Sequence, residues 1–452
     1  MASVRISRTP ASGGNRKTFT FSAWIKRANL EDTTQTLLMA GDSNGNNNIS
    51  VLHLKDNQIE FYTWVGSYQF QVTTNRVLRD TSAFYHIVVA VDTTQGTAAD
   101  RVKIYVNGTQ ETSFANSSYP SQNYDTFINH TVLHGVANYN AGSSQYFSGC
   151  MAHVHFTDGT AYAASTFGET DSTSGIWKPK TAPSVTYGTN GFFLKFENSG
   201  NLDLDSSGNN LTFTTSGTLT QNVDTPSNVF ACWNPQINTD LTGNWSNANL
   251  SIAPNGDNVQ LYAPITFPLS KGKWYSEHMI TGGNGYGSIG LSGASYISNI
   301  FITGEEPGLT SPSFAFRCIN GGIKMNNANT SYGSAPGTSD AILGMAVDID
   351  NKKVWYHING TYVTYGGGVG DPAGGNYGFD WSSLSDDFGW LHVCGDSETN
   401  GYGNWKSNFG SGFFGTTAVA SANADANGFG AFEYAVPSGY YSICTKNIKE
   451  FG

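Results

Sequence analysis

In a chain this poor in charge, carboxylates, imidazoles and aromatic rings are the side chains that could act on a ligand, and each occurs in a testable pattern. A glycosidase needs two carboxylates, about 5 Å apart if it retains configuration and farther apart if it inverts. Glu169-Thr170-Asp171 puts two acids on one face of a strand, but Ser174 stands where a third would complete an E-x-D-x-x-E set. The run lies in a polar stretch beyond the last strand of the first β region, so no active site is expected there and the chain is expected not to be an enzyme. His153 and His155 alternate onto one strand face, with His86 elsewhere and no acid nearby; a solvated strand face is the expectation, not a metal centre. Asp203, Asp205 and Ser207 match the start of a loop whose alternating oxygens wrap calcium. Thr214 occupies the twelfth position in place of a bidentate Glu, so an Asx-rich turn is expected, with calcium the candidate cofactor and no other implied. Trp381, Trp405, Tyr402, Tyr286 and Tyr296 fall in or beside Gly/Ser/Asn stretches, a setting that suits contact with sugar or protein through ring faces. Trp390, within F-G-W-L-H-V-C, reads instead as a core strand residue.

The elements that would carry these groups are strands. From Thr18, T-F-T-F-S-A-W-I-K-R alternates Phe19, Phe21, Ala23 and Ile25 against Thr18, Thr20, Ser22 and Trp24. Strands are also expected at 37–43, 49–54 and 59–64, then at 84–92 and 101–109, where Asn107-Gly108 makes the turn, and at 147–156. A second set begins with K-G-K-W-Y-S-E-H-M-I from Lys271, where Trp274, Ser276 and His278 alternate against Tyr275, Glu277 and Met279. It continues through Asp340 to Tyr362, two strands that end at Asn359-Gly360. The expected fold is all-β: two antiparallel, jelly-roll-like β-sandwich domains, 1–165 and 244–452, joined by a structured, mostly irregular bridge, 166–243. Aromatic pieces of that bridge at Phe192 to Phe196 and Asn228 to Trp233 are expected to pack on one or both sandwiches.

Composition agrees. A chain of 452 residues with 53 glycines, 13% aromatic and 13% charged residues has the balance of turn-rich sheets, not of helices or disorder. A formal charge of -11 without any Lys/Arg cluster argues against nucleic acid. No apolar run approaches the length of a membrane helix, and the N-terminus lacks the apolar core of a signal peptide; a soluble protein made in a cytoplasm is expected, without membrane insertion. Five cysteines without a C-x-x-C pair are expected to be buried thiols.

Three resemblances follow from these motifs. F-S-A-W, H-I-V-V-A-V-D, I-Y-V-N-G and the final G-C-M-A-H-V-H-F, in that order, resemble the laminin-G-like, concanavalin-type jelly roll. Gly272, Trp274, Tyr275, Glu277, Asp340, Gly344, Asp348, Asn359, Gly360 and Asn408 to Gly410 resemble the SPRY pattern, which implies a binding module with recognition on loops and no catalytic residues. Between them, G-E-T-D-S-x-x-G-x-W-x-P-K, Y-G-T-N-G-F-x-L-x-F, D-S-S-G-N and D-T-P-x-N-x-F-x-x-x-N-P resemble a module of tailed-bacteriophage virion proteins, marine phages especially. The resemblance implies a virion location, other virion proteins and a host cell-surface glycan or receptor as partners, and homo-oligomeric assembly. Its leading function is a tail or fibre receptor-binding protein; the alternatives are an architectural virion component, either a capsid decoration or a tail structural protein, and a polysaccharide depolymerase.

Overall fold

The computed structural model describes residues 4–30, 34–41, 48–139, 145–237, 244–253, 262–282, 287–296, 306–336, 340–396 and 403–452. The chain forms two compact units, 1–221 and 222–452, each built from antiparallel sheets packed face to face. The fold is all-β, with short 3-10 turns and a seven-residue helix, Thr445–Phe451.

In the first unit the strands are β1 (Arg5–Arg8), β2 (Thr18–Arg27), β3 (Thr34–Gly41), β4 (Ile49–Lys55), β5 (Gln58–Trp64), β6 (Tyr68–Val77), β7 (Tyr85–Asp92), β8 (Val102–Val106), β9 (Thr109–Gln110), β10 (Phe114–Ser118), β11 (Leu133–Val136), β12 (Gly149–Asp158), β13 (Gly168–Thr170), β14 (Trp177–Pro179), β15 (Phe192–Leu194) and β16 (Thr214–Ser216). One sheet runs β10-β6-β5-β4-β3-β11-β1-β16 and the other β15-β12-β2-β7-β8-β9. Alternation decides which side chains fill the space between them: Phe19, Phe21 and Ile25 of β2 meet Leu52, Leu54, Ile59 and Phe61 of β4 and β5. Each such side chain, fully buried, contributes about 1.5–3 kcal/mol. The hairpin β4-β5 closes on Asp56 and Asn57, and β8-β9 on Asn107 and Gly108, all at positive φ, as their turn residues require.

The polar stretch after β12 divides between the units. Its first part builds onto the first sandwich: β15 adds to β12 and β16 to β1, while the β13-β14 hairpin lies over the outside of the six-stranded sheet. Trp177 of that hairpin rests on Gly108, where a β-carbon would come within 2.8 Å of its ring. Its later part enters the second unit, where Phe230 bridges to Cys444 and Trp233 to Ile265, and Trp233 is fully buried.

The second unit packs a sheet centred on 273–281, 342–348, 353–358 and 404–408 against one centred on 287–293, 313–317, 322–325 and 390–396. Trp274 and Ile280 face inward, and Tyr275 and Glu277 face outward, as the alternation of that strand demands. No disulfide joins the cysteines; four are buried and Cys150 is half-buried. Among the described residues, no helix is long and apolar enough to cross a membrane.

Candidate functional site

The residues first expected to touch ligand lie elsewhere in the structure. Trp381 is fully buried, its ring centroid 5.6 Å from Phe314 and 4.6 Å from Trp390. Trp405 is fully buried in the strand 404–408 and donates its indole N–H to the Gly395 carbonyl at 3.3 Å. Both rings are packed inside the second unit, so neither offers a face to a ligand. Tyr296 is half-buried against the core with its hydroxyl bonded to Thr310. Tyr286 and Tyr402 lie outside the described residues. Trp390 is a buried strand residue, as expected.

The calcium candidates do not converge. Asp205 accepts the backbone N–H groups of Phe193, Ser207 and Leu211 and the Ser207 hydroxyl, whereas Asp203 accepts the Thr215 hydroxyl at 2.6 Å. This is an Asx turn that ties β15 to the following loop. Glu169 and Asp171 both lie on the exposed β13-β14 hairpin beside Lys178, at 3.7 and 2.9 Å. The Lys178 ammonium and the Ser174 and Thr173 donors hold the Asp171 carboxyl well below the usual range, which unfits it as a proton donor. Among the described residues, no group of three His, Cys, Asp or Glu side chains is placed to hold a metal.

The histidine face of the first unit is not solvated. His86 is fully buried, stacked on Trp24 at 4.6 Å; Trp177 donates to its Nδ1 at 3.0 Å, which leaves the proton on Nε2, 2.9 Å from the Ser22 hydroxyl. His155, also buried, stacks on Phe193 at 3.8 Å. The segment that covers these rings comes from beyond residue 160, so the local pattern of β12 does not reveal it. In the second unit Ser276 and His278 approach to 2.8 Å, a nucleophile–base distance, but both are fully buried between the sheets and no substrate reaches them.

The face best suited to a ligand is the outside of the eight-stranded sheet. Alternation along β5 sends Ile59 and Phe61 to the core and Glu60, Tyr62 and Trp64 outward. Register then aligns Glu60 with His53 of β4 and Thr73 of β6, Tyr62 with Val51 and Gln71, and Asn116 of β10 with Thr73. A shift in the β5-β6 register beside Trp64 pairs it with Tyr68, and the two rings meet edge to face at 4.9 Å. Tyr68 is 46% exposed and Val65 of the same turn 41%; Trp64, Gln71 and Asn116 are half-buried.

Beneath this open end lies a buried carboxylate. Glu60 accepts His53 Nε2 at 2.9 Å and both Gln71 Nε2 and the Thr73 hydroxyl at 2.7 Å. Burial alone would push the Glu60 carboxyl up, but the bonds from His53, Thr73 and Gln71 hold it at about 2. Asn116 Nδ2 donates to Gln71 Oε1 at 2.9 Å, and Asn116 Oδ1 accepts the Ser118 N–H at 2.9 Å. Two aromatic rings thus border a ladder of amides whose orientations are set from below. No second acid shares the Glu60 rows, which continue as Asn116, Thr73, His53, Gln71, Tyr62 and Val51. The sequence signal for this face was the I-E-F-Y-T-W alternation; its partners, 7 to 56 residues away, depend on register.

A family model matches part of the first unit. Residues 3–166 match the family model of the concanavalin A-like lectin/glucanases superfamily, of the laminin-G type. Among solved structures the chain is similar to the SPRY domain of human HERC1, at 11% identity over 39% of this chain and 96% of that one, TM-score 0.28. It is also similar to the heptameric SAP-like pentraxin of Limulus polyphemus, at 14% identity over 36% and 72%, TM-score 0.27. A third is the CBM40 of the Ruminococcus gnavus IT-sialidase, solved with α2,3-sialyllactose, at 11% identity over 33% and 89%, TM-score 0.24. No curated protein matches the chain.

Proposed function

We propose that this chain is a non-enzymatic adhesion protein whose first unit binds a surface ligand, glycan or protein, through Trp64, Tyr68, Gln71 and Asn116. The observation that carries the reading is the pair of accessible aromatic rings beside an amide ladder fixed by Glu60. Catalysis is disfavoured because Glu60 stays ionised and has no second acid in its rows.

The setting that fits is the tail or fibre of a tailed phage, with the host cell surface as target and other virion proteins as neighbours. This part of the proposal is supported by the residue pattern of 167–235. As a homo-oligomer the chain would present several weak sites at once, and avidity would make attachment firm.

Purified protein should bind permissive host cells and reduce infection by competition. Trp64→Ala combined with Tyr68→Ala should lower cell binding at least tenfold while leaving the unfolding midpoint nearly unchanged, and no reducing ends should appear from host polysaccharide. Wild-type protein that binds no permissive host, or a virion reconstruction with this face packed on a capsid neighbour, would favour the architectural role instead.

A further inference from the structure

We propose that the face above Glu60 selects uncharged pyranose sugars with vicinal hydroxyls and rejects acidic ones; the proposal rests on the binding role given above. Hydrogen-bond sense is the first argument. Gln71 spends one N–H on Glu60 and one lone pair on Asn116, and Asn116 spends one lone pair on the Ser118 N–H. An amide has two donors and an acceptor with two lone pairs. Gln71 and Asn116 therefore each retain one donor and one acceptor position, side by side, on half-buried groups. A sugar hydroxyl donates and accepts, so two adjacent hydroxyls can satisfy both amides. A carboxylate or sulfate only accepts and would leave the amide carbonyls facing oxygen, an unpaired arrangement that costs free energy in a partly dry site.

Charge is the second argument. The Glu60 carboxylate is buried under this face, held by donors from His53, Gln71 and Thr73. An anionic sugar seated on Gln71 would sit close above that carboxylate at low local dielectric. The aromatic rings are the third argument: Trp64 and Tyr68 supply apolar surface for the C–H face of a pyranose, and an uncharged ring loses least on leaving water.

The test is calorimetric titration of the full chain with hexasaccharides of β-glucan, galactan and mannan, against oligogalacturonate and α2,3-sialyllactose. At least one neutral oligosaccharide should bind ten times more tightly than either acidic one. Glu60→Gln should cut that discrimination at least threefold. Asn116→Ala, which removes only a half-buried group, should weaken neutral binding about tenfold with the fold intact by circular dichroism. Acidic sugars bound as tightly as neutral ones, with loss on Trp64→Ala, would overturn the selectivity and leave the binding role standing. No binding of any oligosaccharide, together with no binding to host cells, would overturn both; cell binding without sugar binding would overturn the proposal and point to a protein receptor.

Discussion

Glu60 in the first unit and Glu277 in the second are both buried on the outer face of a sheet, and the two are held in opposite ways. Glu60 accepts only side-chain donors from neighbouring strands of its own sheet, and the face beside it is open at Tyr68 and Trp64. Glu277 accepts the backbone N–H groups of Glu433 and Tyr434 at 2.8 Å, with the Tyr275 hydroxyl at 3.0 Å. Those amides belong to a C-terminal segment that covers the sheet with Phe432 and Tyr440. Tyr275 is itself oriented: the Gly360 N–H donates to His357 Nδ1, so Nε2 carries the proton and donates to the phenol at 2.7 Å. Gly344 makes room for that imidazole, since a β-carbon there would overlap its ring. One carboxylate thus organises an open face, while the other fastens a cover over a closed one. The difference teaches that a glutamate pointing outward from a strand is not a ligand contact until its donors are known.

The largest expected contrast is between the two faces' tryptophans. Trp355, fully buried under the cover and donating to the Asn376 carbonyl at 2.6 Å, should cost about 3–5 kcal/mol when changed to Ala. Trp64→Ala on the open face should cost about 1 kcal/mol or less, its effect appearing in binding. Urea unfolding followed by tryptophan fluorescence checks this, and equal losses would mean that the first face is closed as well.

Next come two pH windows of opposite sign. Burial pushes the Glu277 carboxyl from 4.5 up to about 7, against the pull of the Glu433, Tyr434, Tyr275 and Asn408 donors. The folded state then keeps a proton that the unfolded chain releases, so this group's contribution is full below pH 4.5 and is lost as pH rises through 7, by about 3 kcal/mol. Glu60, lowered from 4.5 to about 2, contributes above pH 4.5 and loses a similar amount, about 3 kcal/mol, as pH falls through 2. Glu277→Gln should flatten the upper window and Glu60→Gln the lower. Hydrogen exchange at the Glu433 and Tyr434 amides, compared with Glu277→Gln at each pH, reads the first directly; protection that does not vary between pH 4.5 and 7 would break the contrast.

Strand positions were readable in the sequence because alternation and Asn-Gly turns are local signals; β2, β5 and β7 lie within a residue of their expected bounds. The sites were harder. Trp405 stands in N-W-K-S-N, where alternation with Ser407 already points it inward, yet the flanking glycines and asparagines suggested a loop. Trp381 follows a two-residue strand, Phe379–Asp380, too short to leave a periodic trace, and is held by its N–H to the Lys352 carbonyl at 3.0 Å. His155 read as solvated because its cover is distant in sequence. Alternation tells which residues share a face but not what lies over that face, and cover is what separates the two glutamates.

The smallest expected effect tests whether side-chain donors alone hold Glu60. Thr73→Val keeps the volume and shape of a fully packed residue while removing one of three donors to the carboxylate. A hydrogen bond to a charged group contributes about 1.5–3 kcal/mol, and the loss should fall at the lower end because His53 and Gln71 remain. The carboxyl should titrate at a higher pH, since one of the bonds holding it down is gone while the burial pushing it up persists. Its carbon chemical shift followed against pH by NMR reads this, and an unchanged midpoint would mean that Thr73 does not hold the charge. Freed from one side, Gln71 Nε2 keeps its bond to Glu60, so neutral-sugar binding should weaken by less than the tenfold expected for Asn116→Ala. A larger loss would place the hydroxyl of Thr73 itself at the ligand.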